Sequence, residues 1–315
     1  MSKVNFSAQV TIEEAKNSII LFGQELTPVI IGEPGTGKST LLTMIESDLG
    51  DAYDYIYVDC PVKDMSDIAM TIPNHDTQSL EYYVSSLFKL DSPKPKVIML
   101  DEMLKAPKLL QIIFTRLTLE RCVGDKKLPE GSIVFATSNN ASDGVGDSML
   151  AHAGNRVCIM RMSKPNPTEW LEWATANGIS RVVRAWVAMF PRSLASYVDG
   201  NQEDNPYIFN PMTGNTKAFC SPRSLEKASN VIKARDMLGI ALLPTLIGTV
   251  GEAAARDMEA MVYLADQLPQ FNSIVTDPAK CKLPESVGAY FLMAFSLAAR
   301  ADGKTMDAIM TYVDR

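Results

Sequence analysis

Histidine is almost missing from this chain: His75 and His152 are the only two among 315 residues. They stand far apart in sequence and make no metal pair. Cysteine is sparse as well. Cys60, Cys122, Cys158, Cys220 and Cys281 are odd in number, scattered, and without CxxC or His-paired zinc spacing. They read as reduced thiols of a cytosolic protein. Long hydrophobic runs are also lacking. The most apolar stretch, Met237 to Val250, is too short to span a bilayer and contains Pro244; it reads as a buried helix. Met1 to Phe6 shows no signal-peptide h-region. These absences predict a cytoplasmic chain, bacterial or in a phage-infected host, with no membrane partner. There is no basic excess either. Lys and Arg number 30 against 37 Asp and Glu, a net charge of −7. That balance argues against a broad nucleic-acid footprint and leaves room only for a local basic pore. No internal repeat or low-complexity tract is evident.

What is there begins with Gly32-Glu33-Pro34-Gly35-Thr36-Gly37-Lys38-Ser39-Thr40. It fits G-x-x-x-x-G-K-[ST], the phosphate-cradling P-loop. Thr27 to Ile31 runs in as a short β-branched strand. Leu41, Leu42, Met44 and Ile45 leave at helical spacing. Gly32, Gly35 and Gly37 permit backbone angles that a Cβ would oppose, so successive N–H groups can turn inward to phosphate oxygens. A helix starting at Lys38 or Ser39 adds free N–H donors and a partial positive charge. Lys38 is expected to reach the β- and γ-phosphates, and the Ser39 hydroxyl to take a Mg²⁺ position. A Gly-rich turn without ligand is the bland alternative.

The first half of the chain alternates strand-like and helix-like segments, the pattern of an α/β sheet. Ile12 to Phe22 reads as a helix with Thr11 as N-cap. Tyr55–Val58, Val97–Leu100, Ile133–Ala136 and Val157–Met160 read as buried strands. Leu80 to Leu90 is apolar at helical spacing, and Asp91 to Lys96 is a stiff polar linker. Past Pro165 strand candidates fade. Trp170–Ala174, Val182–Met189, Leu225–Ala234 and Glu252–Leu268 read as amphipathic helices. A boundary near Ser163–Pro167 separates an α/β core over 1–163 from a helical lid with a helical C-terminal extension over 164–315. The fold class is thus a P-loop αβα sandwich with a parallel sheet, followed by an all-α domain.

Val97 to Leu100 ends in Asp101-Glu102, the Walker B form. Asp101 can hold Mg²⁺ through its water shell. Glu102 can orient and polarise a water for attack on the γ-phosphorus. A helix N-cap is the structural alternative for this pair. Ala136-Thr137-Ser138-Asn139-Asn140 follows the next strand, which would lie between the P-loop and Walker B strands. Asn139 is the first candidate to touch the attacking water or a γ-phosphate oxygen, with Asn140 and Thr137 as alternatives to it. Asn155-Arg156-Val157 places Arg156 between a helix end and a strand. There it could serve a neighbouring subunit's nucleotide as an arginine finger, or simply favour a helix C-terminus. Ser221 is a good N-cap and Pro222 suits the first helical position. Arg223, in the first turn, runs against the dipole preference; it makes sense if it points back at a phosphate, and otherwise is a solvated surface side chain.

These elements, in this order, resemble an AAA+ ATPase. The resemblance is nearest to the MoxR-like branch, of the phage and bacterial type within the dynein-related AAA subfamily. Ala136-Thr137-Ser138-Asn139 matches its ATxN-type sensor 1, and Ser221-Pro222-Arg223 its SPR sensor 2. Asn139-Asn140 stands where the branch usually has Asn-Pro, and Asn155-Arg156-Val157 where it has Asp-Arg-Phe. The resemblance implies ATP and Mg²⁺, and a homo-oligomeric ring, most often a hexamer, with ATP between subunits. Arg156 would complete a neighbour's site and Arg223 would contact nucleotide from the lid. It also implies chaperone-like remodelling of a protein partner, in many relatives one with a von Willebrand factor A domain. Segments 60–79 and 123–130 are the candidate pore or substrate loops. Two other functions stay open. A nucleic-acid translocase or loader would use Lys63, Lys126 and Lys127. A low-turnover, nucleotide-gated scaffold would bind without hydrolysing, against the presence of both Asp101 and Glu102.

Overall fold

The structure is a computed structural model and describes residues 9–139, 157–214 and 217–315. Two compact units meet in sequence between Ser163 and Lys164.

The first unit is built on six parallel strands. They are β1 (Gln9–Val10), β2 (Thr27–Ile31), β3 (Asp54–Asp59), β6 (Lys96–Asp101), β9 (Ile133–Ser138) and β10 (Val157–Met162), in spatial order β1-β10-β2-β9-β6-β3. Helices α1 (Ile12–Phe22), α2 (Leu41–Leu49) and α3 (Lys108–Glu120) accompany them. Strand alternation divides the apolar side chains between two faces. Ile30, Val97, Met99, Ile133 and Phe135 pack with Ala15 and Ile19 of α1 and Leu41 and Ile45 of α2. Val29, Ile56, Val58, Ile98, Leu100 and Val134 pack with Leu110, Phe114 and Leu117 of α3. Covering both faces is why these strands read as unbroken apolar runs. Each fully buried Ile, Leu or Phe contributes about 1.5–3 kcal/mol. Thr11 caps α1 as expected: its hydroxyl accepts from Glu14 N–H at 3.2 Å, and Glu14 accepts the Thr11 N–H at 2.7 Å.

One helical expectation fails. Leu80 to Leu90 is not a helix. Ser79–Val84 forms β5, paired antiparallel with β4 (Ala69–Asn74), and only the short 3₁₀ turn Ser86–Phe88 follows. Leu80, Tyr82 and Tyr83 are exposed rather than turned into a core, and β-branched and aromatic residues favour such a ribbon. The expected loop at 60–79 therefore contains a strand and the turn of a hairpin. The other, at 123–130, contains part of a second hairpin between β7 (Cys122–Val123) and β8 (Lys126–Lys127). The two hairpins touch: the Tyr82 ring lies against Gly124, whose φ of +62° gives the turn its left-handed step.

The second unit is helical. It comprises α4 (Pro167–Ala176), α5 (Arg181–Met189), α6 (Pro222–Lys233), α7 (Arg235–Leu238), α8 (Leu242–Val250), α9 (Glu252–Gln267), α10 (Phe271–Thr276), α11 (Val287–Ala298) and α12 (Met306–Val313). Val182, Val183, Trp186 and Val187 of α5 are central to its core. Asp257 of α9 ties this core together, accepting from Tyr207 Oη at 2.9 Å and from Trp186 Nε1 at 3.4 Å. Burial first, then this hydrogen bond, pushes the Tyr207 hydroxyl up to about 12. The Met237–Val250 stretch departs from a single buried helix. It breaks at Gly239, with φ +51°, leaving Met237 87% and Ile240 100% exposed, while Leu242, Leu246 and Val250 face the core.

Candidate nucleoside triphosphate site

The sheet order places the P-loop at a topological switch point. From β2 the chain runs to β3 at the far edge and returns through β6 and β9. It then passes over β2 to β10 on the other side. Crevices at the carboxyl ends of strands where the order reverses are where open α/β sheets bind ligands.

The loop from Gly32 to Gly37 leaves β2 at that end. Gly35 and Gly37 have φ of +77° and +99°, a region side chains disfavour. At Gly32 a Cβ would come 3.1 Å from the Met162 carbonyl oxygen. A 3₁₀ turn over Lys38–Thr40 leads into α2, so the helix starts slightly later than the sequence pattern implies. Thr36 Oγ1 donates to Glu33 O at 3.0 Å and Thr40 Oγ1 to Gly37 O at 2.7 Å, bracing the loop from within. Lys38 is buried. Its Nζ donates to Gly32 O at 2.9 Å, Glu33 O at 2.8 Å and Asn139 Oδ1 at 2.9 Å. Asn139, at the end of β9, therefore stands beside the loop lysine.

Asp101 ends β6 on the α2 side of the sheet. Its Oδ1 accepts from the Thr137 hydroxyl. Its Oδ2 accepts from Tyr57 Oη at 2.7 Å and from Ser39 Oγ at 3.3 Å. Burial first, then the Asp101 hydrogen bond and charge, push the Tyr57 hydroxyl well above the ordinary tyrosine range. Glu102 sits in a left-handed conformation, φ +53°. Its N–H donates to Thr137 Oγ1 at 3.3 Å, and Lys105 Nζ lies 3.0 Å from its Oε2 without a well-directed hydrogen bond. A non-glycine residue there costs about 1–2 kcal/mol, and such strain collects at functional sites. Cys60 is buried nearby. Burial drives its thiol far upward, the environment of a packed cysteine.

The donors suit a hard cation. Ser39 Oγ and the Asp101 carboxylate are oxygen ligands of the kind Mg²⁺ takes. Among the described residues no group of three His, Cys, Asp or Glu could cage a metal. Mg²⁺ would arrive with phosphates and keep much of its water.

The structure thus brings together Gly32, Glu33, Pro34, Gly35, Thr36, Gly37, Lys38, Ser39, Thr40, Asp101, Glu102, Thr137 and Asn139 within one end of the first unit. Arg156 and the alternative Asn140 lie outside the described residues. Arg223 belongs to the second unit, exposed in the first turn of α6. Ser221 caps that helix as expected, accepting from Ser224 N–H at 3.2 Å with Pro222 at its first position. Two neighbours escaped the sequence reading: Tyr57 on Asp101 and Lys105 on Glu102. A signal for Tyr57 existed. Both β3 and β6 end in Asp, and pairing Asp59 with Asp101 sets Tyr57 opposite Met99, on the same sheet face as Asp101.

No protein-family model and no curated protein matches this chain. Solved structures do match. The RuvB Holliday junction branch migration motor of Thermotoga maritima is 15% identical, with 96% of this chain and 84% of that chain covered and a TM-score of 0.39. NtrX of Brucella abortus is 13% identical, over 80% of this chain and 68% of that one, at a TM-score of 0.35. A closed state of Hsp104 with ATPγS and FITC-casein is 18% identical, over 71% of this chain and 39% of that one, at 0.38.

Proposed function

We propose that this chain is an AAA+ ATPase that binds Mg²⁺·ATP and hydrolyses it. The observation that carries the reading is the meeting of Lys38, Ser39, Asp101, Glu102 and Asn139 at the carboxyl ends of β2, β6 and β9. The loop N–H groups and Lys38 would hold the phosphates. Ser39 and the water shell on Asp101 would hold Mg²⁺, which when bound neutralises charge on the β- and γ-phosphate oxygens. Glu102 would orient a water in line with the γ-phosphorus and draw its proton. Asn139, already on Lys38, would reach the γ-phosphate or that water.

In the same reading the chain works as a ring, a hexamer by its MoxR-like resemblance. Arg156 of one subunit would complete the site of the next, and Arg223 would report the nucleotide to the helical unit. The work done is remodelling of a protein partner, with a von Willebrand factor A domain protein as the first candidate. The acidic balance of the chain and the exposed hairpin of β4 and β5 support a protein partner. Glu102→Gln tests the chemistry. Hydrolysis should fall by about 10²- to 10⁴-fold while ATP binding persists. Wild-type turnover no faster than that of Lys38→Ala would make the chain a nucleotide-gated scaffold instead.

One observation favours a second reading. Lys126 and Lys127 are both exposed on β8, the placement a nucleic-acid translocase would use. ATPase stimulation by DNA, falling steeply with salt, would support it. No stimulation at low salt would remove it.

A further inference from the structure

On the reading that Ser39 and Asp101 hold Mg²⁺, we infer that Tyr57 is a positioning residue that sets the plane of the Asp101 carboxylate for the metal. An aspartate's terminal torsion is broad and roughly two-fold, so its backbone alone does not fix where the oxygens point. Here both oxygens are held. Thr137 from β9 donates to Oδ1, and Tyr57 from β3 donates to Oδ2 at 2.7 Å. The two donors reach the carboxylate from the strands on either side of β6. Ser39 supplies the longer contact, 3.3 Å to Oδ2. Of the three it is the weakest, and the one that can be given up when the Ser39 hydroxyl turns to a cation. A carboxylate has about four lone-pair sites. With Thr137 and Tyr57 occupying two, sites remain for Ser39 of the loop and for a cation.

Packing does not explain the tyrosine. The residue as a whole is 46% exposed on the edge strand, so phenylalanine would pack as well there. What the hydroxyl adds is the hydrogen bond. The residue touches neither phosphate nor water in this reading; it acts through Asp101. Cys60 and Asp59 lie close by, and neither is placed to donate a strong hydrogen bond to that oxygen.

Tyr57→Phe removes this donor alone. The test is a MgCl₂ titration of the full chain, reading the binding of a fluorescent methylanthraniloyl-ADP, with a parallel measurement in EDTA. The Mg²⁺ concentration at half-saturation should rise about tenfold, the lower range of one hydrogen bond to a charged acceptor. Affinity in EDTA should stay within about twofold of wild type, and the melting temperature should hold. Asp101→Asn, measured alongside, should shift the Mg²⁺ midpoint further. An unchanged midpoint in Tyr57→Phe overturns the inference. So does an equal loss of affinity with and without Mg²⁺, which would mark a structural role. Mg²⁺-independent binding by the wild type would overturn the metal assignment itself, and with it the role of Tyr57.

Discussion

Two lysines are buried at opposite ends of the same parallel sheet, in different surroundings. Lys96 opens β6 with none of its surface exposed. Its Nζ meets Asp54 Oδ2 at 2.6 Å and Ser92 O at 3.0 Å. Lys38 follows β2 with 5% exposed, and its Nζ donates to two backbone carbonyls and to the Asn139 amide oxygen, among other contacts. A buried ammonium beside a carboxylate is neutralised within the fold. Lys38 instead donates to the carbonyls of the glycine-rich loop, where an incoming phosphate would sit. On the proposed reading the first arrangement serves stability and the second serves binding, and the difference lies in where each lysine sits, not in the depth of burial.

That contrast can be broken experimentally. The largest effect is expected from Lys38→Ala. Nucleotide affinity should fall by about 100-fold or more, as charge-assisted bonds to phosphate are lost, while the melting temperature stays within a few degrees. Fluorescent-nucleotide titration and calorimetry would show it. Lys96→Met should do the reverse. It leaves Asp54 without its cation and should cost about 2–4 kcal/mol in denaturant unfolding, with affinity per folded molecule unchanged. Equal losses of affinity in both variants would erase the distinction.

Asn139→Ala sharpens it further. Removing one acceptor from Lys38 should lower kcat about tenfold and leave stability nearly unchanged; a purely structural Asn139 would move the melting temperature instead. The smallest effect is in acid. The Lys96 hydrogen bond, then one from Ser92, hold the Asp54 carboxyl below the usual carboxylate range. Its contribution is therefore present above the unfolded value of about 3.9 and is lost as pH falls toward the lower folded value. Below about pH 4 the wild type should lose melting temperature more steeply than Lys96→Met does. Parallel slopes would detach Asp54 from the lysine.

Much of this was legible in the linear chain. The P-loop needs consecutive residues, and so do Thr11 with Glu14, Ser221 with Pro222, and the apolar strands ending at Asp101 and Asn139. Such signals are local, and local geometry suffices to read them. The hairpin of β4 and β5 departs from the helical expectation because Leu80, Tyr82, Tyr83 and Leu87 fit helical and extended periods alike. Neither face of that ribbon is deeply buried, so no clean alternation marks it. The break at Gly239 was masked by the apolar residues on both sides of it.

From its sequence alone, then, this protein is determined as a P-loop chain with an acidic pair on a buried strand and a helical second half. Those features follow from backbone freedom at glycine, from side-chain periodicity and from capping, all of which act within a few residues. The expected place of β9 between β2 and β6 is met; only the tertiary structure decided that Asn139 rests on Lys38 and that Tyr57 reaches Asp101 from the edge strand. Strand order and register join residues separated by 44 positions for Tyr57 and 101 for Lys38. That pairing is set by which faces must be buried against which helices, a property of the whole sheet that no short segment carries.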